Sequence, residues 1–422
     1  MNKLNVGRDL YLKGRIGWQG LSKDEYLPHS NYKIINATAL KDGYVDFENC
    51  GYITKERYEE AKEIQLKEND ILISKDGTLG KIGYVKNLST PCSVASGIFV
   101  LRNLKPDLVD FDYLYHILKS NIFKDFINRN KAQGSTISHL YQRDLNNFEI
   151  ELPSLEEQRR ITKILNTIDL KISNNIKIIS YLESMVKLLY DYWFVQFDFP
   201  DENGKPYKSS GGKMVWNDEL KREIPEGWSS KLLYEIESNI VTGKTPPTKD
   251  KSNFGKDVPF ITIGDIRGNM YVVNTTTSLS YKGAETQKNK YLPENAICVT
   301  CIATPGLVGF TTKKCQTNQQ INSIICKRKY NENFLYFAIK HYFNYSTGAK
   351  TGNTFKNMNK EDFSNIRLVY SKKIVQMFFN KTENIFNRIL EYSRENQELA
   401  SLRDFLLPML MNGQVKIKEK GK

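Results

Sequence analysis

The sequence contains two imperfect copies of one long pattern, and this duplication constrains the fold more than any other feature. Residues 71–84, ILISKDGTLGKIGY, align with residues 297–310, ICVTCIATPGLVGF, at an offset of 226. The same offset places IFVLR on IICKR, at residues 98–102 and 324–328. A repeat of this length predicts two structurally equivalent domains rather than a solenoid of short units.

The second part of each copy aligns at an offset of 218, with residues 134–158 over residues 352–376. The identical positions in this part include Gly134 and Gly352, Thr136 and Thr354, Asp144 and Asp362, and Gln158 and Gln376. Each copy begins with short β-like segments and continues with a short helical segment and a closing strand. The predicted helical segments are 110–129 and 331–343, and the predicted closing strands are 147–153 and 365–371.

A long helix follows each closing strand. In the first, apolar residues recur at alternating four- and three-residue steps from Ile161 to Trp193, and only Asn175 interrupts the series. This is the spacing of a coiled-coil seam. The second helix has a looser apolar stripe, and we expect Pro408 to end it. We predict that the two helices, each roughly 50 Å long, pack on each other in antiparallel orientation.

The predicted fold class is therefore α+β, with two similar β-rich domains separated by two long antiparallel helices that form a coiled-coil spacer. The predicted divisions are a first domain at 1–153, a first helix at 154–196, a crossover linker at 197–225, a second domain at 226–371, a second helix at 372–412 and a basic tail at 413–422.

Composition favours a folded protein that binds a polyanion. Hydrophobic residues make up 40% of the 422 residues, and no apolar run approaches the roughly 18 residues that a membrane span needs. The N-terminal residues lack a secretory signal, so we expect a cytoplasmic protein. The net charge of +13 attracts nucleic acid first and membrane surfaces second, although charge alone leaves both partners and an incidental basic composition open.

Catalytic motifs are not recognisable in the sequence, which argues against an enzyme. The four histidines do not form an HExxH motif or another metal-ligand spacing. In the stretch DGTLGKIG, Gly80 and Lys81 are followed by Ile82 rather than by Ser or Thr, so we predict a β-turn rather than a phosphate loop.

The cysteines raise the alternative of a zinc site. Cys298 and Cys301 form a CxxC pair, and Cys315 and Cys326 lie downstream. The alignment disfavours zinc, because it places non-ligands opposite these cysteines in the first copy, namely Leu72, Lys75, Ser89 and Val100.

Five loops, distributed over both copies, combine hydrogen-bonding side chains with basic residues. Arg suits guanine edges, Asn and Gln suit adenine edges, and Lys, Ser and Thr suit phosphates. The candidate DNA-binding residues are Lys13, Arg15, Gln19, Lys75, Thr78, Lys81, Gln133, Ser135, Thr136, Lys244, Thr245, Thr304, Asn318, Gln319, Gln320, Lys350, Asn353 and Thr354. Because the copies differ at these positions, we expect each domain to read a different DNA sequence.

Four motifs carry a resemblance to a known family: LPSLEEQ at 152–158, WFVQFDFP at 193–200, GKPYKSSGG at 204–212 and IPEGW at 224–228. With the duplicated layout, they resemble the specificity (S) subunits of type I restriction-modification enzymes. The second junction, YSKK at 370–373, departs from the family pattern because it lacks the proline and the acidic pair.

The resemblance implies a non-catalytic subunit whose two target recognition domains bind double-stranded DNA at a bipartite, asymmetric site. It also implies two methyltransferase subunits held by the helices, with restriction subunits joining through them. S-adenosylmethionine, ATP and magnesium are then expected on the partners, and no cofactor or metal on this chain. Candidate residues for docking, either on the helices or on a methyltransferase, are Trp193, Phe194, Phe197, Phe199, Tyr207 and Trp216. A structural coiled-coil adaptor and an unrecognised DNA-modifying enzyme are the alternatives.

Overall fold

The structure, a computed structural model, describes residues 2–15, 20–41, 43–130, 139–348, 357–411 and 415, without the side chains of 345–348 and 411. The chain divides into two compact units. The first unit comprises residues 1–171 and 399–422, and the second unit comprises residues 172–398. Among the described residues, every helix is too short or too polar to span a bilayer.

The first unit is built on a mixed sheet of six strands. The strands of this unit are β1 Asn2–Asn5, β2 Leu10–Gly14, β3 Tyr32–Ile35, β4 Leu40–Lys41, β5 Gly43–Val45, β6 Gly51–Ile53, β7 Ile71–Ser74, β8 Ile82–Tyr84, β9 Cys92–Val94, β10 Ile98–Asn103 and β11 Glu149–Leu152. Its helices are α1 Val6–Asp9, α2 Lys55–Glu59, α3 Phe111–Lys119, α4 Asn121–Asn130, α5 Gln142–Asn146 and the start of α6 Leu155–Tyr190. The main sheet has the order β2-β10-β7-β8-β5-β4, and the smaller sheets are β6-β3-β9 and β1-β11.

The second unit repeats this arrangement. Its strands are β12 Met214–Asn217, β13 Arg222–Pro225, β14 Ser229–Leu232, β15 Ile240–Thr242, β16 Phe254–Ile261, β17 Tyr271–Val272, β18 Thr277–Leu279, β19 Ile297–Thr300, β20 Val308–Thr311, β21 Gln316–Thr317, β22 Ile321–Ile324 and β23 Arg367–Tyr370. Its helices are α7 Leu233–Ile236, α8 Ile263–Ile266, α9 Tyr281–Glu285, α10 Asn331–Gly348, α11 Lys360–Ser364 and most of α12 Lys372–Met411. The sheet β15-β22-β19-β20-β17 corresponds to β2-β10-β7-β8-β5, so the predicted duplication and fold class are confirmed.

The central strands explain why both copies read as continuous apolar runs. In β7, Ile71 and Ile73 face the core cluster that contains α3 and α4, whereas Leu72 faces a second cluster on the other side of the sheet. In β19, Ile297 and Cys298 divide between two clusters in the same way. A strand that is covered on both faces has no polar face, so strict alternation is absent.

One part of the sequence alignment is wrong. The strand registers pair Ser74 with Ile98 and Thr300 with Ile321, so Ile98 corresponds to Ile321 rather than to Ile324. From Phe310 to Ile321 the second copy is three residues shorter than the first copy is from Tyr84 to Ile98, which shifts the offset to 223. The expected register places Phe99 and Val100 on the apolar Ile325 and Cys326, whereas the observed register places them on Asn322 and Ser323. Matching of apolar residues in the sequence therefore favoured the wrong register.

The corrected register also changes the cysteine comparison. Leu66 donates its backbone N–H to the carbonyl oxygen of Cys92, and Leu292 donates to that of Cys315. Cys315 therefore corresponds to the buried Cys92 and not to Ser89.

Helix α6 begins at a capping box. The Ser154 hydroxyl accepts a hydrogen bond from the Glu157 N–H at 3.3 Å, and the Glu157 carboxylate accepts one from the Ser154 N–H at 3.2 Å. Gln158 is fully buried and donates to the carbonyl oxygens of Leu108 and Pro153. Its side chain thereby fastens the helix start to the first unit.

Helix α12 differs from its prediction at both ends. Pro408 lies inside the helix, which continues to Met411, so the prediction that this proline ends it is wrong. At the start, the Val375 N–H donates to the Ser371 carbonyl, as the Gln158 N–H donates to that of Ser154. The equivalent of Gln158 is therefore the buried Val375 and not Gln376, which is exposed.

Sections of α6 and α12 pack in antiparallel orientation within each unit. In the first unit, Arg403 of α12 donates to the Asp169 carboxylate of α6 at 2.8 Å. In the second unit, the buried Asn175 amide of α6 donates to Asn396 and Glu395 of α12 at 3.0 and 2.7 Å. Residue numbers rise on one helix as they fall on the other, as antiparallel pairing requires.

Candidate nucleic-acid interface

A turn after the central strand has the same hydrogen-bond frame in both units. In the first unit, the Ser74 hydroxyl donates to the Thr78 carbonyl at 2.5 Å and accepts from the Lys81 N–H at 2.8 Å. In the second unit, the Thr300 hydroxyl donates to the Thr304 carbonyl at 2.5 Å and accepts from the Leu307 N–H at 3.0 Å. One hydroxyl group thus closes each turn from inside.

A glycine allows each turn to approach the helix below it. Gly80 and Gly306 have positive φ angles of 73° and 94° and donate to the Ser74 and Thr300 carbonyl oxygens at 2.9 Å. A Cβ atom on Gly80 would lie 2.2 Å from the Ile127 side chain, and one on Gly306 would lie 2.7 Å from that of Phe343. Each turn therefore requires glycine at this position.

Each turn is joined to two neighbouring segments through the residue that follows the central strand. In the first unit, the Lys75 N–H donates to Gly97 and the Lys75 carbonyl accepts from Leu140. In the second unit, the Cys301 N–H donates to Gln320 and its carbonyl accepts from Met358. Three segments that are remote in sequence thus meet at one edge of each sheet.

The structure brings Lys75, Thr78 and Lys81 together at the edge in the first unit, which we call the first loop edge. Thr78 and Lys81 are exposed, and the Lys75 ammonium group lies 5.0 Å from the centre of the Phe99 ring. Partial burial lowers the pKa of Lys75 from its usual value. Lys13 is exposed on β2, and Gln19, Gln133, Ser135 and Thr136 lie outside the described residues.

Arg15 does not take the exposed position expected of a DNA-binding residue. Its side chain is buried, with an exposed fraction of 2%, and donates to the Val94 carbonyl at 3.0 Å and the Ser93 hydroxyl at 3.4 Å. The guanidinium group thus donates its hydrogen bonds to backbone and side-chain oxygens inside the unit. This burial corrects the expectation that Arg15 contacts DNA.

Sequence reasoning missed a stack of three side chains beside the first loop edge. The Arg143 guanidinium lies 4.9 Å from the Tyr141 ring centre, and that ring lies 6.3 Å from the His139 ring. His139 in turn contacts the Asp76 carboxylate at 2.5 Å. The signal was present as HLYQR, where aromatic and cationic residues alternate, but its relation to Asp76 depends on the fold.

The second unit gathers Lys244, Thr245, Asn318, Gln319 and Gln320 with Thr304 in the second loop edge. The Thr245 hydroxyl donates to the Gln319 side chain at 2.5 Å, and the Asn318 amide donates to that of Gln320 at 2.9 Å. Lys244 is exposed, and its backbone N–H donates to the Thr317 carbonyl. Lys350, Asn353 and Thr354 lie outside the described residues.

A heptad stripe of exposed apolar residues runs along α6 and the π-helical turn Asp191–Val195 that follows it, within the second unit, and we call it the outer stripe. Its members are spaced by three and four residues and are Ile178, Tyr181, Met185, Leu188 and Tyr192. Tyr181 and Leu188 have exposed fractions of 73% and 68%. Since the buried seam of the same helix lies on another face, α6 presents two apolar faces.

The cysteines pack as small apolar residues. Cys298 and Cys315 belong to one core cluster and Cys301 to another. Burial raises the pKa of Cys298 to about 12 and that of Cys301 to about 11, as expected of thiols packed in an apolar core. Among the described residues, no three His, Cys, Asp or Glu side chains are grouped for a metal ion.

Comparison with known proteins identifies the family. The family described as type I restriction modification DNA specificity domain matches residues 19–184 and 225–376, one match for each copy. The chain belongs to the family of type I restriction-modification specificity subunits. The HindI specificity subunit of Haemophilus influenzae is 31% identical over 403 residues, which cover 83% of this chain and 87% of that protein.

Other relatives of this specificity subunit agree with the assignment. The MjaIX specificity subunit of Methanocaldococcus jannaschii is 26% identical over 388 residues, covering 89% of this chain and 86% of that protein. The crystal structure of the S subunit from M. genitalium superposes with a TM-score of 0.51 at 17% identity, over 99% of this chain and 96% of that chain. The superposition on the M. genitalium structure supports the fold alone.

The aromatic residues of the crossover in this specificity subunit are mostly buried. Trp193, Phe194, Phe197 and Phe199 each have an exposed fraction of 5% or less, and the Phe194 ring lies 5.3 Å from Phe378 of α12. They dock on the helices and on the second unit, so they are not available to a methyltransferase. Of the two docking surfaces expected for these four rings, the structure therefore shows the helices, and the methyltransferase alternative is wrong for them.

The rest of the crossover is folded rather than extended. Tyr207 stacks on Phe199 at 4.7 Å, and Asp198 accepts hydrogen bonds from the Ser209 N–H and hydroxyl at 2.7 and 2.6 Å. Trp216, in contrast, has an exposed fraction of 60%. Of the six predicted docking residues, Trp216 is therefore the one with a largely exposed ring.

Proposed function

We propose that this specificity subunit reads a bipartite, asymmetric double-stranded DNA target, with one unit for each half-site, and holds methyltransferase subunits on its helices. The observation that carries the proposal is the repeated turn frame with different side chains. Lys75 and Lys81 of the first loop edge correspond to Cys301 and Leu307 of the second. A common frame that displays different groups suits two readers of different sequences.

Charge and polar chemistry support DNA as the ligand. The chain carries a net charge of +13, which favours binding to the phosphate backbone. The second loop edge is rich in amides, with the exposed Gln319 beside Asn318, and amides suit adenine edges. We place the site of action of the subunit in the cytoplasm.

The outer stripe supports docking of a methyltransferase. An exposed heptad stripe is the surface that a partner helix covers in a coiled coil. On this proposal two methyltransferase subunits bind the helices and restriction subunits join through them. S-adenosylmethionine, ATP and magnesium belong to those partners, and this chain contributes recognition without catalysis.

The proposal is tested by purifying the chain alone and with its methyltransferase partner, and incubating each with DNA and S-adenosylmethionine. We expect methylation at a bipartite motif with the complex and none with the chain alone. Exchanging residues 226–370 for those of a relative should change one half of the motif and leave the other intact. Methylation by the chain alone, or a change in both halves after the exchange, contradicts the proposal.

A further inference from the structure

We propose that Arg267 is a specificity-determining residue of the second unit and that it reads a guanine in the second half-site. The inference rests on the proposed function and goes beyond it by assigning one base type to one side chain. Arg267 directly follows α8 and is exposed at the second loop edge. Sequence reasoning did not select it, because RGN follows an apolar segment and has no neighbouring basic residue.

The backbone below Arg267 is held by a buried carboxylate. Asp265 has an exposed fraction of 6%, and one of its oxygens accepts from the Thr262 N–H and hydroxyl at 2.8 and 2.7 Å. The other oxygen accepts from the Thr276 N–H and hydroxyl at 2.9 and 3.0 Å. These four hydrogen bonds on one side chain hold α8 to Thr262, which precedes the helix, and to Thr276, which precedes β18.

The chain leaves this helix through a tight turn. Gly268 has a φ of 79°, and the Asn269 amide donates back to the Asp265 carbonyl at 3.0 Å. Arg267 therefore lies between Asp265 and Asn269, which are both held by hydrogen bonds, and its side chain projects from a well-supported backbone. A reading residue needs such support, because a bidentate contact tolerates little displacement.

The Arg267 side chain is oriented by the repeated turn. Its Nη2 atom lies 3.5 Å from the Thr304 hydroxyl oxygen, at the long end of hydrogen-bond distance. Thr304 is itself held, since its carbonyl accepts from Thr300 and its N–H donates to Ile302. The guanidinium is thus directed along the loop edge, where Cys301 also bonds to Gln320.

The charge of Arg267 is balanced differently from that of three other arginines in this unit. Arg367, Arg388 and Arg394 each have a carboxylate oxygen within 2.8 Å. The contact recorded for the Arg267 side chain is the neutral Thr304 hydroxyl. Its remaining donors are therefore suited to an external acceptor, and the two acceptors on the guanine edge match the planar fork of arginine.

The equivalent position of the first unit is built differently. The equivalent of α8 is a 3-10 turn at Ala37–Ala39, followed by Leu40, which is buried, and by Lys41, whose ammonium group pairs with Asp46 at 2.6 Å. The guanine preference is therefore assigned to the second half-site alone. This difference also supplies a matched control in Lys41.

The experiment compares complexes of the methyltransferase with wild-type, Arg267→Ala, Arg267→Lys, Thr304→Val and Lys41→Ala chains, by sequencing the methylated motif on a randomised DNA library. We expect Arg267→Ala to reduce guanine preference at one position of the second half-site by about 5-fold to 100-fold. Arg267→Lys should also lose preference, because lysine keeps the charge without the fork. Thr304→Val should lose less, and Lys41→Ala should match the wild type.

Two results would overturn the inference. The first is an unchanged motif in Arg267→Ala. The second is weaker binding to all sequences equally, with the salt dependence reduced by about one phosphate contact, which identifies Arg267 as a backbone contact. If the wild-type complex produces no bipartite motif, the proposed function itself fails. An intact first half-site in every variant shows that the complexes are folded and active.

Discussion

Ala303 in the second unit has the left-handed backbone conformation that Gly77 has at the equivalent position of the first, with φ angles of 65° and 69°. For an L-residue this conformation costs roughly 1–2 kcal/mol. The two turns therefore have one shape, but the second holds it with a less suitable residue.

We predict that Ala303→Gly stabilises the second unit by about 0.5–1 kcal/mol, since glycine relieves the strain but loses more chain entropy on folding. Gly77→Ala should destabilise the first unit by about 1 kcal/mol, because no atom lies within 4 Å of the new Cβ and the effect is one of backbone conformation. Hydrogen exchange of amides in each unit measures both changes. A loss of protection in Ala303→Gly would contradict the prediction.

A buried histidine should make the first unit sensitive to acid. His116 is 2% exposed, its Nε2 atom lies 2.7 Å from the Asn166 side chain, and its ring also faces Asp169, Lys119 and Arg403. Burial, followed by the two cations, lowers its pKa below the usual 6.5 despite Asn166 and Asp169. The unfolded chain therefore takes up a proton that the folded unit excludes, and stability falls as pH drops from 7 to 5.

The variant His116→Phe tests this prediction with the residue that the second unit has at the equivalent position, Phe337. We expect the loss of stability between pH 7 and pH 5, measured by urea unfolding, to become smaller in the variant. His29→Gln, on an exposed histidine of the same unit, serves as control and should retain the wild-type pH dependence. An unchanged pH dependence in His116→Phe would show that other groups control the acid response.

A half-buried carboxyl should have the opposite effect in the second unit. Burial raises the pKa of Glu332 to about 7, with Glu237 and Glu383 adding to the rise and Lys329 opposing it. The folded unit thus keeps a proton that the unfolded chain releases near 4.5, and stability falls as pH rises from 5 to 8.

Glu332→Gln removes this charge, so we expect the variant to be more stable than wild type at pH 8 by up to about 3 kcal/mol and equal to it at pH 4, below the pKa of the unfolded chain. Urea unfolding at the two pH values measures the difference. Glu361→Gln, at an exposed position, should behave as wild type at both. An equal gain at both pH values would point to improved packing rather than to charge.

Two substitutions in the outer stripe should separate partner binding from folding. We predict that Tyr181→Lys with Leu188→Lys lowers the affinity for the methyltransferase by at least about 100-fold, because two large apolar side chains leave the interface. The matched control is Ser173→Lys with Ser180→Lys, which adds the same charge at exposed positions on another face of α6. Titration of labelled chain with the methyltransferase measures affinity. Equal weakening in both variants would indicate a charge effect and not the stripe.

Periodic and repeated features were predictable from the sequence because they depend on local spacing. The long helices followed from the apolar series between Ile161 and Trp193, and the duplication from ILISKDGTLGKIGY. The packing of the two helices on each other followed because neither helix can bury its stripe alone. The antiparallel orientation followed from the chain path, since each helix leads away from its own domain. These predictions required no knowledge of contacts between distant residues.

Features set by contacts between distant residues were not predictable. Arg15 lies in a glycine-rich polar segment, and it is buried in the fold, where its side chain contacts Val94, 79 residues away. Arg267 is aligned by Thr304, 37 residues away. The crossover combines turn residues with aromatics, and the partner of those aromatics, Phe378 of α12, becomes apparent only in the folded chain.

The division of the helices between the units has a consequence for the order of folding during synthesis. Leu407 and Leu410 near the C-terminus belong to the same core cluster as Leu4 and Ile71 near the N-terminus. The second unit, in contrast, is continuous in sequence from 172 to 398. On the ribosome, the half of the protein that is made first therefore completes its core last, after the half that interrupts it has emerged.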